Sequence, residues 1–256
     1  MIEARDLTKT FKLSRQQKKE IDSEYTGDYA HAVNGVSFSC QPGRIFSLLG
    51  PNGAGKTTIL RIIATLLKPS SGTISVCGCD SVEDPIGVRR QIGFLTGSTK
   101  LYDRLTPLEV VKFYAEVHGV EQRTFEQRAD ELFTTLDMHD FAKKRIGKLS
   151  TGMTQKVSIA RTMIHDPAVV VFDEPTTGLD VITSRTIIDM IRRCRDDGKT
   201  VIFSTHIMGE VNLLSDDLAI IHKGKLCYSG SYEEFRSGSQ SDSLEQEFIR
   251  HLEEAD

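Results

Sequence analysis

Three features of this 256-residue sequence predict an α/β fold with a mostly parallel sheet, an antiparallel edge subdomain and a helical insert. Short β-branched apolar runs at 169–172 and 200–203 have the character of parallel strands covered on both faces. A glycine-rich loop, 50–55, separates an apolar run at 44–49 from a helical pattern. From Thr106 to about Arg145 the period is helical and strand signals are absent, which marks an insert.

The elements follow in order. A short strand-like start gives way at 12–31 to a stretch with four basic and four acidic residues, read as an exposed hairpin extension or a mobile loop. Val33, Val36 and Phe38 then alternate as in a strand, and Pro42 with Gly43 marks a turn before the run 44–49. The helix after the loop carries Ile59, Leu60, Ile62, Ile63, Leu66 and Leu67 at helical spacing and stops before Pro69. Strands are expected at 72–76 and 91–96. Thr106-Pro107-Leu108-Glu109 is a capping box with proline at the first helical position, a strong helix start. Runs 218–222 and 225–228 flank Lys223-Gly224 as a closing hairpin. The tail from Ser229 has eight acidic and two basic residues, with Leu244, Phe248 and Leu252 at the spacing of an amphipathic helix.

Composition narrows the function. A net charge of −4 argues against a dedicated nucleic-acid binder. No apolar run approaches the roughly 20 residues that a bilayer-spanning helix needs, and the start shows no basic segment followed by an apolar one. The cysteines Cys40, Cys77, Cys79, Cys194 and Cys227 form no metal or redox spacing and read as small reduced core residues.

Gly50-Pro51-Asn52-Gly53-Ala54-Gly55-Lys56-Thr57 fits the phosphate-binding pattern G-x-x-x-x-G-K-[ST]. Glycines let successive backbone N–H groups face an anion, and the helix starting near Lys56 aims its positive end at the same place. Lys56 suits β- and γ-phosphates, and the Thr57 hydroxyl suits Mg²⁺. The apolar run 169–172 ends in Asp173 and Glu174: Asp173 could hold Mg²⁺, and Glu174 could orient or deprotonate an attacking water. Adjacent acids also serve as solvated turn residues; the loop upstream favours catalysis. Ser150 is a natural N-cap for the helical pattern through Val157, Ile159, Ala160 and Met163.

Leu149-Ser150-Thr151-Gly152-Met153 resembles the L-S-G-G-Q signature of ATP-binding cassette (ABC) ATPases. Pro175-Thr176-Thr177-Gly178-Leu179-Asp180 looks like that family's D-loop, and Ser204-Thr205-His206 like its switch histidine. Leu7-Thr8-Lys9-Thr10-Phe11 looks like its adenine-stacking start. The resemblance covers nearly the whole chain in the family's order. It implies a single ABC ATPase domain over 1–256, with a P-loop core at about 1–96 and 147–228, a helical subdomain at about 97–146 and an acidic helical tail at about 229–256. It implies ATP and Mg²⁺ as cofactors, with nucleotide contacts from Phe11, the loop 50–57, Thr58, Ser150, Gly152 and Asp180, metal contacts from Thr57 and Asp173, and catalytic roles for Lys56, Glu174 and His206. Ser150 and Gly152 would act on the ATP of a second nucleotide-binding subunit. A separate membrane permease would be the transport partner, with the chain on the cytoplasmic face of the membrane and no nucleic acid bound.

The sequence departs from the family at Thr151 and Met153 of the signature and at Gly97, where a glutamine that touches Mg²⁺ is usual. Gln91 precedes the strand and cannot substitute; either one hydroxyl among Thr96, Ser98 and Thr99, Ser98 foremost, binds the metal-bound water, or these are ordinary solvated loop residues and bulk water fills the place. The stretch 97–106 and the Ser-Thr-Gly-Met string look like the NatA-type, sodium-extrusion branch. Two other readings stay open at this point: a non-transport ABC ATPase, and a P-loop kinase of a small molecule, which would have no need of Ser150.

Overall fold

The computed structural model describes residues 1–14, 28–96, 100–239, 241 and 243–254. In chain order the elements are β1 (Ile2–Lys12), β2 (Tyr29–Cys40), β3 (Ile45–Leu49), α1 (Lys56–Ile63), β4 (Ser71–Val76), β5 (Cys79–Asp80), α2 (Pro85–Gln91) and β6 (Ile92–Thr96). They continue with α3 (Pro107–Val117), α4 (Gln122–Thr135), α5 (Thr151–Met163), β7 (Val169–Asp173), α6 (Val181–Asp196), β8 (Thr200–Thr205) and α7 (Met208–Leu214). The last are β9 (Asp217–His222), β10 (Lys225–Ser231), α8 (Tyr232–Ser237) and α9 (Leu244–Glu253). These residues form two compact units: Met1–Cys40, Phe46–Val88 and Ser204–Asp256 in the first, Gln41–Ile45 and Arg89–Phe203 in the second.

The first unit holds an antiparallel sheet in the order β2-β1-β4-β5. Val33 and Val36 are both fully buried although three residues apart. Simple alternation would put them on opposite faces; Gly35, at φ 66°, lies where the β1–β2 register shifts and returns Val36 to the core. The hairpin register runs out to Lys12 against Tyr29, and Leu13 N–H bonds Asp28 O at 2.9 Å. The stretch read as an extension therefore begins as paired strand; residues 15–27 lie outside the described residues. In the same unit β3 pairs in parallel with β9, and β9 in antiparallel with β10. Leu244, Phe248 and Leu252 of α9 pack with Tyr228 and Tyr232 against Leu49, Leu218, Ile220 and Phe235, as the tail's helical spacing anticipates.

Helix α1 is shorter than its apolar pattern. It ends at Ile63; Thr65 takes φ 59°, and Leu66 N–H returns to Arg61 O at 2.8 Å while Thr65 N–H bonds Ile62 O at 3.0 Å. This is a Schellman closure with threonine in the place usually filled by glycine. Leu66 is consequently exposed instead of continuing the buried stripe.

In the second unit β6 pairs in parallel with β7, and every residue of β7 is buried. Helices α3, α4 and α5 pack on one another, and α5 packs on β6. The Thr106 capping box closes as expected: Thr106 Oγ1 accepts from Glu109 N–H at 3.3 Å, and Glu109 Oε2 accepts from Thr106 N–H at 2.7 Å. The cysteine expectation holds for Cys40 and Cys194, which are buried free thiols; it fails for Cys77, exposed at φ 50° in the β4–β5 turn, and for half-buried Cys79 and Cys227. A two-residue hairpin turn has no interior, so the C-x-C segment could not enter the core.

Candidate functional site

In the first unit the loop 50–57 folds around its own lysine. Lys56 is 5% exposed, and its ammonium donates to Gly50 O at 2.7 Å and Pro51 O at 3.0 Å. A cation this buried needs such acceptors. The glycines serve two needs. Side chains at Gly50 and Gly55 would meet main-chain oxygens at 2.2 Å, whereas Gly53, at φ 81°, faces open space. Helix α1 begins with Gly55, and among the described residues no side chain makes a capping hydrogen bond at its positive N-terminal end. Thr57 and Thr58 lie half-buried on its first turn.

His206 leaves the end of β8, exposed. That end is tied down: Thr205 O accepts from Gly50 N–H at 3.3 Å, and Thr205 Oγ1 donates to buried Glu210 at 2.5 Å and accepts from Ile207 N–H at 3.0 Å. The strand end carrying His206 thus shares a hydrogen bond with the start of the loop. Phe11, near the end of β1, is 40% exposed, with the Lys9 ammonium 5.3 Å from its ring centre.

In the second unit β7 delivers Asp173, 8% exposed, and then Glu174, whose φ of 49° is a conformation L-residues avoid. Thr177 Oγ1 donates to Glu174 Oε2 at 3.2 Å. Ser150 caps α5, accepting from Met153 N–H at 3.2 Å. Two contacts that the sequence reading did not single out join these segments. Gln155 Nε2 donates to Pro175 O at 2.9 Å, tying α5 to the residue after Glu174. A Cβ on buried Gly152 would lie 2.9 Å from Thr183 Oγ1, and Thr183 is held by Asp180 through its N–H at 2.9 Å and its hydroxyl at 2.8 Å. The backbone hydrogen bond from Thr183, then that of its hydroxyl, pulls the Asp180 carboxyl below its ordinary pKa. Asp180 followed three residues later by threonine was a legible N-cap pattern; nothing marked Gln155. The Gln155–Pro175 hydrogen bond and the close packing of Gly152 on Thr183 therefore bring the segments that carry Ser150, Gly152, Glu174 and Asp180 together in this unit, with Asp173 directly before Glu174. Gly97, Ser98 and Thr99 lie outside the described residues; Thr96 stands opposite Asp173 in the β6–β7 register.

The donor chemistry fits the implied ligands. A buried ammonium, an open glycine cradle and an uncapped helix start suit phosphate, and the hydroxyl of Thr57 and carboxylate of Asp173 are hard oxygen donors of the type Mg²⁺ takes.

A family model described as ABC transporter matches residues 33–177. The chain belongs to the ABC transporter family. It is 40% identical to NatA, an ABC transporter ATP-binding protein of Bacillus subtilis (strain 168), over 98% of both chains. It is 32% identical to the daunorubicin resistance ATP-binding protein DrrA3 of Streptomyces coeruleorubidus, over 84% of this chain and 68% of that one. Among solved structures, an ATP-binding subunit of an ABC transporter superposes with TM-score 0.83 at 26% identity, over 98% of this chain and 99% of the other. The ATP-binding cassette MJ0796, dimeric in a post-hydrolysis state bound to ADP and Pi, gives 0.77 at 26% identity, over 90% and 98%. The chain thus has the ABC ATPase fold, binds and hydrolyses ATP, and is similar to NatA over nearly its full length. Among the described residues no helix is long and apolar enough to cross a membrane.

Proposed function

We propose that this single ABC cassette energises export through a separate membrane permease, working as one of two ATP-binding subunits on the cytoplasmic face of the cell membrane. The observation that carries the reading is the junction of signature helix and acidic strand end, a hydrogen bond from Gln155 to Pro175 and the close packing of Gly152 on Thr183. A small-molecule kinase has no use for it. The loop 50–55, Lys56, Thr57 and Thr58 take the phosphates, Phe11 stacks on adenine, and Thr57 and Asp173 are the metal-holding groups. Glu174 orients and deprotonates water, and His206 touches the γ-phosphate. Ser150, Gly152 and Asp180 act on ATP held by the second subunit.

Sodium is the transported ion in this reading. Its support is the resemblance of residues 97–106 to the sodium-extrusion branch together with the full-length likeness to NatA. The test is ATP-driven sodium uptake into inverted membrane vesicles containing the chain and its permease. Glu174→Gln is expected to bind ATP, accumulate a dimer detectable by light scattering, and abolish uptake. Wild-type hydrolysis by Glu174→Gln would remove the catalytic assignment, and uptake that ignores sodium would remove the substrate.

A further inference from the structure

The turn between β9 and β10 has positive φ at both residues, 45° at Lys223 and 77° at Gly224, the geometry of a type I′ hairpin. Such tips ordinarily end in solvent. This one ends on the phosphate-loop motif: Gly224 N–H donates to Ala54 O at 2.9 Å, and Gly224 O accepts from Asn34 N–H at 2.8 Å. The fit leaves no room for side chains. A Cβ on Gly224 would lie 3.0 Å from the carbonyl oxygens of both His31 and Ala32, and one on Gly55 would lie 2.2 Å from Ala32 O. The β4–β5 turn repeats the backbone, with φ 50° at Cys77 and 84° at Gly78, yet a Cβ on Gly78 meets nothing within 4 Å. One turn is crowded for a reason that the other lacks.

A trans peptide points its carbonyl and its N–H in opposite directions. With the Ala54 carbonyl turned to Gly224, the Gly55 N–H in the same peptide plane points away from the hairpin. Ala54 N–H is already engaged with Pro51 O at 3.2 Å, so the planes on both sides of Ala54 are fixed. We infer that the β9–β10 turn is a brace for the phosphate loop, and that Gly224 is a positioning residue that keeps the Gly55 N–H aimed at the nucleotide's phosphates. The inference rests on the proposed phosphate role of residues 50–57 and deepens it by naming what orients the donor. Without the brace, the 54–55 peptide has to be ordered by the ligand itself, and binding weakens.

The test is calorimetric titration of the full chain with ADP, which carries phosphates without turnover. Gly224→Ala is expected to weaken ADP binding about tenfold, the scale of one hydrogen bond to a charged group. Gly78→Ala, with the same backbone strain and no crowding, is expected to keep wild-type affinity. Two readouts separate orientation from general loosening. In wild type, ADP should slow amide exchange at Gly224 and leave Gly78 unchanged; in Gly224→Ala, the Gly55 amide resonance should move less on adding ADP. The exchange measurement needs no variant, so it decides even if Gly224→Ala does not fold. Equal ADP affinity in the two alanine variants, or Gly224 exchange indifferent to ADP, would overturn the brace. Wild-type ADP affinity in Lys56→Ala would instead overturn the phosphate role of the loop.

Discussion

Glu174 combines the proposed catalytic carboxylate with a φ of 49°, so its chemistry and its backbone can be separated by two substitutions. Glu174→Ala and Glu174→Gly both remove the carboxylate and the acceptor for Thr177 Oγ1, so those losses cancel in the comparison. The residue left behind differs only in its tolerance of the left-handed region. An L-residue there costs about 1–2 kcal/mol. Glycine gives back about 0.5–1 kcal/mol of that through the greater freedom of its unfolded chain. The glycine variant should therefore be the more stable of the two by about 0.5–1 kcal/mol. For a chain of this size that corresponds to a melting midpoint about 1–4 °C higher. The order must reverse at an ordinary helical site. At exposed Arg185 within α6, alanine should exceed glycine by about 1 kcal/mol. Urea unfolding at equilibrium reads the stabilities, and phosphate release should be near zero in both Glu174 variants. If Glu174→Ala proves as stable as Glu174→Gly, the backbone there is unstrained and the reasoning fails.

A second prediction concerns acid. His165 stacks on His118 with ring centres 3.8 Å apart, and burial first, then the neighbouring His118, pushes its pKa down to about 4. Its Nε2 lies 3.2 Å from Ile92 O, and Asp166 and Arg128 also face it. The folded state favours the neutral ring while the unfolded chain takes the proton near pH 6.5, so stability should fall as pH drops from about 6.5 towards 4 and stay level above. His165→Phe keeps a stacked ring and should flatten that decline in melting curves; an unchanged slope would reject the assignment. A third concerns Gly152→Ala, whose Cβ would meet Thr183 Oγ1 at 2.9 Å and Cγ2 at 3.1 Å. A cost of about 1–3 kcal/mol in urea unfolding is expected, as for overpacking generally. Adding Thr183→Ala should make Gly152→Ala less costly than it is alone, and strict additivity would show that the two residues do not press on each other.

Much of the site was legible because its chemistry restricts residue type. Glycines, lysine and threonine between strand and helix admit few other readings, and the caps at Thr106 and Ser150 are local patterns whose partners lie three residues away. Local patterning failed where backbone geometry departed from its usual residue. Thr65 and Glu174 hold positive φ without being glycine, so neither the early end of α1 nor the strained acid could be seen. The bulge at Gly35 was hidden similarly, because an apolar residue three positions along can satisfy either a helix or an irregular strand. Gln155, Thr183 and Gly224 act through contacts with remote backbone or with another cap, and a single sequence carries no sign of which distant carbonyl a side chain or turn will meet.

The contacts of the hairpin brace are main chain to main chain: Asn34 N–H, Gly224 and the Ala54 carbonyl. Asn34 joins through an atom that every residue but proline possesses, and its own side chain takes no part in that bond. Mutational drift can therefore rewrite position 34 almost freely while the mechanical link survives. An inventory of side-chain substitutions would score this corner of the protein as tolerant except at Gly55 and Gly224, although it is where the strand pairing of the edge sheet is transmitted to the phosphate loop.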